Sequence, residues 1–203
     1  APMARTGRSK IRMMTALLTD TKINIPIECA PYISKELAMS HYKTKSTIAI
    51  DIINYAVGLF KIKRALGDAH FATNEMLDFI IPAKIDFLFK IPRTRRVTIN
   101  GITDQLQKLL RLKKNQHVAT KKAVINGHSC YFYVVKLDDG VVNYLISNDP
   151  IDIYEVAKLY KIRWRIEIFH RTAKQYLGFG ECQMIALEKQ RRHVLYVMHA
   201  YAH

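Results

Sequence analysis

The chain has 203 residues, 49% of them hydrophobic, enough for one sizeable core and short for two independent domains. Its 32 Lys and Arg against 17 Asp and Glu give a formal charge of +15, which points to a polyanionic partner, nucleic acid before an anionic membrane. No apolar stretch approaches the roughly 20 residues that span a bilayer, and the three separated cysteines, Cys29, Cys130 and Cys182, form neither a disulfide framework nor a zinc-ligand spacing.

The chain opens with "APMARTGRSK", basic and without the apolar run of a signal peptide. The segments "IRMMTALLTD" and "INIPIECA", joined by a polar stretch around Thr21 and Lys22, predict an antiparallel strand pair. In "KSTIAIDIINYAVGLFK" the residues Ile48, Ile52, Tyr55, Ala56 and Leu59 recur at helical spacing and predict one buried stripe. A short run, "IKRALGD", ends at Asp68, and "ATNEMLDFII" predicts a helix capped by Thr73 or Asn74. "KIDFLFKIP" reads as a strand stopped by Pro92, and "ITDQLQKLLRLKK" as a short amphipathic helix on a charged surface. A hairpin is expected from "KKAVINGH" and "SCYFYVVKL", turning at Asn126 and Gly127, with a further strand, "VVNYLISND", after the turn "DDG". The next helix is expected to take Asp149 as its cap and Pro150 in its first turn. The chain ends in "RRHVLYVMHAYAH", an apolar helix without a stop signal, so that both ends read as cut from a longer protein. This order predicts a mixed α/β layer architecture.

The segment "LYKIRWRIEIFHRTAKQYLG" holds one carboxylate, Glu167, among Lys161, Arg163, Arg165, Arg171 and Lys174. On a helix stepping about 100° per residue, Tyr160, Arg163, Glu167, Arg171 and Lys174 fall at about 0°, 300°, 340°, 20° and 320°. Ile162, Ile166, Phe169 and Ala173 fall opposite, between about 180° and 240°. One reading is a solvated face with i,i+4 pairs from Arg163 to Glu167 and from Glu167 to Arg171, each stabilising by a few tenths of a kcal/mol. The other is a metal-binding carboxylate whose neighbouring cations hold phosphates, as phosphodiester chemistry requires.

The spacing Tyr160, two residues, Arg163, three residues, Glu167, six residues, Lys174 resembles the Y-(2)-R-(3)-E-(6)-K signature of bacterial and archaeal insertion-sequence DDE transposases. The surrounding "RWRIEIFHRTAKQYLG" is similar to that family's "RW.IE..FR..K..LG". The resemblance implies a ribonuclease-H-like mixed sheet flanked by helices, with an inserted β subdomain before the glutamate helix. On this reading residues 1–92 are the first part of the core, 93–148 the insertion, and 149–203 the C-terminal helices. It also implies metal-assisted cleavage and transfer of DNA strands at transposon ends, with double-stranded DNA as partner, a homodimer in the synaptic complex, and a prokaryotic, nucleoid-associated location in the cytoplasm.

A second aspartate is implied at the end of a strand upstream of the glutamate, and "RALGDAHFATNEML" places it at Asp68, whose plain alternative is a turn or N-cap aspartate. The family's first aspartate is expected before Ala1, on a strand preceding "IRMMTALLTD", with "APMARTGRSK" as the loop after it. Asp20, at the end of its own strand, is the substitute candidate, although it falls in the expected hairpin turn. Without that aspartate the fragment is expected to be inactive. Two Mg²⁺ or Mn²⁺ ions suit such hard carboxylate oxygens. Asp68 and Glu167 would then be the metal ligands, while Tyr160, Arg163, Arg171 and Lys174 meet DNA. Trp164 at about 40° is expected to pack in the core. "RTRRV", "RLKKNQ" and "EKQRRH" are basic runs that suit a DNA backbone or an ordinary solvated surface. Two rival functions are a non-catalytic DNA-binding relative and a metallohydrolase built from Asp68, His70, Glu167 and His170.

Overall fold

The computed structural model describes residues 12–20, 22–33, 42–137, 139–184 and 186–203. The reading of residues 1–10 as a loop, Thr21 of the first turn and Asp138 of the "DDG" turn lie outside them. In chain order the first elements are β1 (Arg12–Thr19), β2 (Asn24–Tyr32), α1 (Lys45–Leu59), β3 (Ala65–Gly67), α2 (Asn74–Ile80) and β4 (Phe87–Lys90). There follow β5 (Arg96–Ile99), β6 (Ile102–Gln105), α3 (Leu106–Leu109), β7 (Val118–Ile125), β8 (His128–Lys136) and β9 (Val142–Ser147). The last are α4 (Ile153–Ile162), α5 (Trp164–Tyr176) and α6 (Leu187–Ala202). Where the composition suggested one globular unit, the chain forms two: the described residues up to Thr44 with Arg165–His203, and Lys45–Trp164.

In the first unit β1 and β2 pair antiparallel as expected, from Arg12 opposite Tyr32 to Thr19 opposite Asn24. The register shifts between Ala16 and Leu17, which face Glu28 and Pro26. The extra residue is a bulge beside Pro26, which has no N–H to give the ladder. Phe169 and Ala173 of α5 pack with Cys29 of β2 and with Val194, Val197 and Met198 of α6. Full burial of a Phe or Val side chain stabilises by roughly 1.5–3 kcal/mol. The α5 helix stops at Gly178, whose φ of +68° lets the Phe179 N–H reach back to the Ala173 carbonyl at 3.0 Å.

The second unit is a seven-stranded mixed sheet in the order β3-β4-β9-β8-β7-β5-β6, with helices flanking it. β3 and β4 are parallel and the remaining pairings antiparallel. Residues 93–148 supply β5 to β9, which continue the sheet of β3 and β4. Val156 and Tyr160 of α4 close one core over Leu88, Tyr133, Val135 and Leu145.

Several expectations require correction. The segment read as an amphipathic helix, residues 102–114, begins as β6, which pairs back on β5, and its only helix is the single turn α3. Asn100 and Gly101, both at positive φ (51° and 79°), form the hairpin's turn. Tyr55 and Leu59 of α1 are exposed, whereas Ser46, Ile48, Ala49, Ile52 and Ala56 are buried. The cap of α4 is Asp152, whose carboxylate accepts from the Tyr154 N–H at 2.8 Å, not Asp149. Asp149 is held instead by Arg64 (2.5 Å) and the Ser147 hydroxyl (2.7 Å), and the Ile151 N–H donates to the Tyr133 hydroxyl at 2.7 Å. With these groups engaged, the helix starts later.

Candidate active site

Asp68 is where the chain leaves β3. The strand pairs with β4 through Ala65 opposite Phe87, Leu66 opposite Leu88 and Gly67 opposite Phe89. The chain then turns, with the Asp68 carbonyl accepting from the Phe71 N–H at 3.2 Å and one carboxylate oxygen accepting from the His70 N–H at 2.8 Å. The first bond closes a β-turn and the second is the one an Asx turn makes. Among the described residues, nothing else bonds that carboxylate. The half-buried group therefore stands at the C-terminal end of a parallel strand, where open α/β sheets place their ligands. Asp149 stands beyond the opposite end, beside the start of β4, where Asn148 accepts from the Phe87 N–H at 3.1 Å. Just after Asp68, Thr73 caps α2 by accepting from the Met76 N–H at 3.2 Å, as the sequence predicted.

Tyr160 and Arg163 close α4. The predicted stripe required one continuous helix through Lys174, but the Arg163 N–H takes the Tyr160 carbonyl at 3.1 Å, an i−3 bond that tightens the chain and parts α4 from α5. Tyr160 is 6% exposed and its ring belongs to the Leu88 core, so it does not share an open face with the cations. The structure does bring it together with Arg163, whose guanidinium carbon stands 5.3 Å from the ring centroid. Trp164, expected in the core, is 50% exposed.

Glu167, Arg171 and Lys174 share α5, with Glu167 half-buried and both cations exposed. Two other side chains of this helix, Arg165 and His170, make contacts that sequence reasoning did not anticipate. Arg165 donates to the Thr19 hydroxyl (2.5 Å), to the Asp20 carbonyl and to the Asn24 side-chain oxygen (3.2 Å). His170 Nε2 and the Thr15 hydroxyl are 2.6 Å apart. No local pattern signals such contacts, since the partners lie 141 to 155 positions away. Burial, followed by the Lys174 ammonium, pushes the His170 pKa down, with Glu167 opposing.

Asp20 is an exposed turn residue whose carboxylate accepts from the Lys22 N–H (2.6 Å) and the Ile23 N–H (2.7 Å), bonds that lower its pKa. Asp68 and His70 belong to the second unit, Glu167 and His170 to the first. Among the described residues no group of three or more His, Cys, Asp or Glu could hold a metal ion, the His and carboxylate set of the metallohydrolase reading included. Asp68 and Glu167 offer hard carboxylate oxygens, a donor type that fits Mg²⁺ or Mn²⁺, with waters and substrate phosphates as the usual remaining ligands. Among the described residues no helix is long and apolar enough to cross a membrane. The family model of the transposase DDE domain matches residues 40–202. No curated protein matches the chain closely enough to count as a relative.

Proposed function

The chain belongs to the transposase DDE domain family, and from that premise we propose that it is the ribonuclease-H-like catalytic domain of an insertion-sequence transposase, cutting and joining DNA at transposon ends. The observation that carries this reading is the span of the family match, which contains Asp68, Glu167 and the whole Tyr160, Arg163, Glu167, Lys174 spacing. On this proposal Asp68, at the end of β3, and Glu167, on α5, hold divalent metal. Bound Mg²⁺ or Mn²⁺ would supply a Lewis acid for the phosphoryl oxygens and a water or 3′-hydroxyl of lowered pKa. Arg163, Arg171 and Lys174 bind phosphates beside the scissile bond. Tyr160 contributes its hydroxyl to a phosphate, because its ring is packed in the core and does not serve as a stacking platform. The substrate is double-stranded DNA of the transposon ends and target, met by a homodimer at the prokaryotic nucleoid.

In the full gene product, Asp68→Asn and Glu167→Gln are each expected to lower Mg²⁺-dependent cleavage of transposon-end DNA by more than the roughly 10- to 100-fold that loss of an outer-shell partner costs. DNA binding without metal should persist. Wild-type cleavage by either variant would remove that residue from the site.

A second reading, a DNA-binding relative without catalysis, is favoured by one observation. Residues 90–136 hold eleven Lys and Arg against one carboxylate, Asp104. Of these, Arg93, Arg96, Lys108, Arg111, Lys113, Lys114, Lys121, Lys122 and Lys136 are exposed. Such a surface neutralises phosphates, and log K should fall with log salt by about 0.9 per phosphate contact. Replacing Arg111, Lys113 and Lys114 with Ala should flatten that slope. Salt-dependent binding with no metal-dependent cleavage would establish this second reading over the first.

A further inference from the structure

We propose that Arg165 and His170 are positioning residues that set where the Glu167 carboxylate points, by fastening α5 to β1 and to the β1–β2 turn. The proposal rests on the reading of Glu167 as a metal ligand and adds to it the means by which that ligand is aimed.

On the helical wheel, with Glu167 at 0°, Arg165 falls at about 160° and His170 at about 300°. Phe169, Ala173 and Ile166, the face that packs in the first unit's core, fall between them at about 200° to 260°. The two polar side chains therefore border the apolar stripe on both sides. An apolar stripe holds a helix against a sheet without directional preference, so it resists lifting far more than rolling. Hydrogen bonds weaken steeply away from linearity, and one on each border resists rolling in either direction.

The partners are suited to this. The Thr15 hydroxyl that meets His170 lies opposite Cys29 in the ladder, and Cys29 is in the core with Phe169. Arg165 reaches three acceptors at the far end of β1, in charge-assisted bonds. The Thr19 hydroxyl is itself held by Asn24 at 2.7 Å. The required precision explains why two anchors are present. A carboxylate at a helix's outer radius, about 5–6 Å from its axis, moves about 2 Å when the helix rolls by about 20°. Metal–ligand distances tolerate only about 0.2 Å.

The test uses the full gene product and Mn²⁺ alone, with bound metal counted by the loss of the free-ion electron paramagnetic resonance signal. Thr15→Val, which keeps the shape and removes the hydroxyl, and His170→Phe, which keeps a ring and removes its nitrogens, should each weaken Mn²⁺ binding about 10-fold. Thr15→Ser should restore it, and metal-free DNA affinity should not move in any of them. Binding within about 2-fold of wild type in both Thr15→Val and His170→Phe, with Glu167→Gln deficient, would overturn the proposal and leave the ligand reading intact. An equal loss in Thr15→Ser and Thr15→Val would also overturn it, because the hydroxyl would then not be the cause. If Glu167→Gln binds Mn²⁺ normally, the reading beneath the proposal fails, and the proposal with it.

Discussion

The two candidate carboxylates are supported in opposite ways. Asp68 follows a three-residue strand, and its carboxylate is held by the N–H of His70, two positions away. Glu167 sits on a thirteen-residue helix whose flanking side chains bond residues more than 140 positions distant. A local turn can place a side chain with few partners, because the chain's own geometry does the placing. A residue on a helix face inherits the rotation of the whole helix, and only tertiary contacts can set that.

The largest break in this comparison should come from Phe169→Ala. The ring is fully buried, meets Tyr201 edge-on at 4.8 Å and Phe179 at 6.3 Å, and belongs to the stripe that seats α5. Truncating a buried Phe costs about 3–5 kcal/mol. Hydrogen exchange should show protection lost first in β1, β2, α5 and α6. Uniform loss across β3–β9 as well would mean that the stripe does not act on its own unit.

A smaller effect, on the other carboxylate, is expected from Gly67→Ala. A Cβ there would stand 2.9 Å from Cδ1 of Phe89 and 3.0 Å from Cδ2 of Phe71. Phe89 is 2% exposed, so its ring has little room to yield. Overpacking of this kind costs about 1–3 kcal/mol and shifts backbone, here immediately before Asp68. Urea unfolding should register that loss. An unchanged midpoint would show that the turn after β3 absorbs the methyl group without displacing the carboxylate.

The same contrast between local and distant causes decides how much could be read from the residues. The β7–β8 hairpin was legible because Asn126 and Gly127 adopt positive φ (49° and 78°) in a turn that needs no outside help. Asn100 and Gly101 carry the same local sign, but the segment from Ile102 onward was read as helix, so the returning strand Ile102–Gln105 went unseen. Thr73 as a cap was legible for a similar reason, since its acceptor role is completed by Met76 three residues on. Asp149 was misread because its carboxylate is claimed by Arg64, 85 positions away. The helical stripe from Tyr160 to Lys174 put Glu167, Arg171 and Lys174 on one helix, as α5 does. It could not show the i−3 bond at Arg163 that parts the helix, nor the core that takes up the Tyr160 ring. Arg165 was read only as one more cation and His170 only as a metal-ligand candidate, because a charged or imidazole side chain beside an apolar stripe looks, in sequence, like any solvated border.

The smallest expected effect concerns acid. His170 bonds Thr15 and stacks on Phe179 at 5.8 Å, with Phe169 at 5.3 Å, while Lys174 and Glu167 act on it from its own helix. Burial first, then Lys174, lowers its pKa below the ordinary 6.5, against the pull of Glu167. A histidine whose folded pKa is depressed binds protons more readily in the unfolded chain, so stability rises with pH between the folded value and 6.5. Stability is thus fully present above about 6.5 and is lost as pH falls toward the folded pKa. Urea midpoints followed from pH 8 to pH 5 should decline more steeply for the wild type than for His170→Phe, which has no proton to take up. Lys174→Gln should lie between the two, since removing the neighbouring cation raises the His170 pKa and narrows the window. Parallel curves for wild type and His170→Phe would mean that the ring takes up its proton as readily in the folded chain as in the unfolded one.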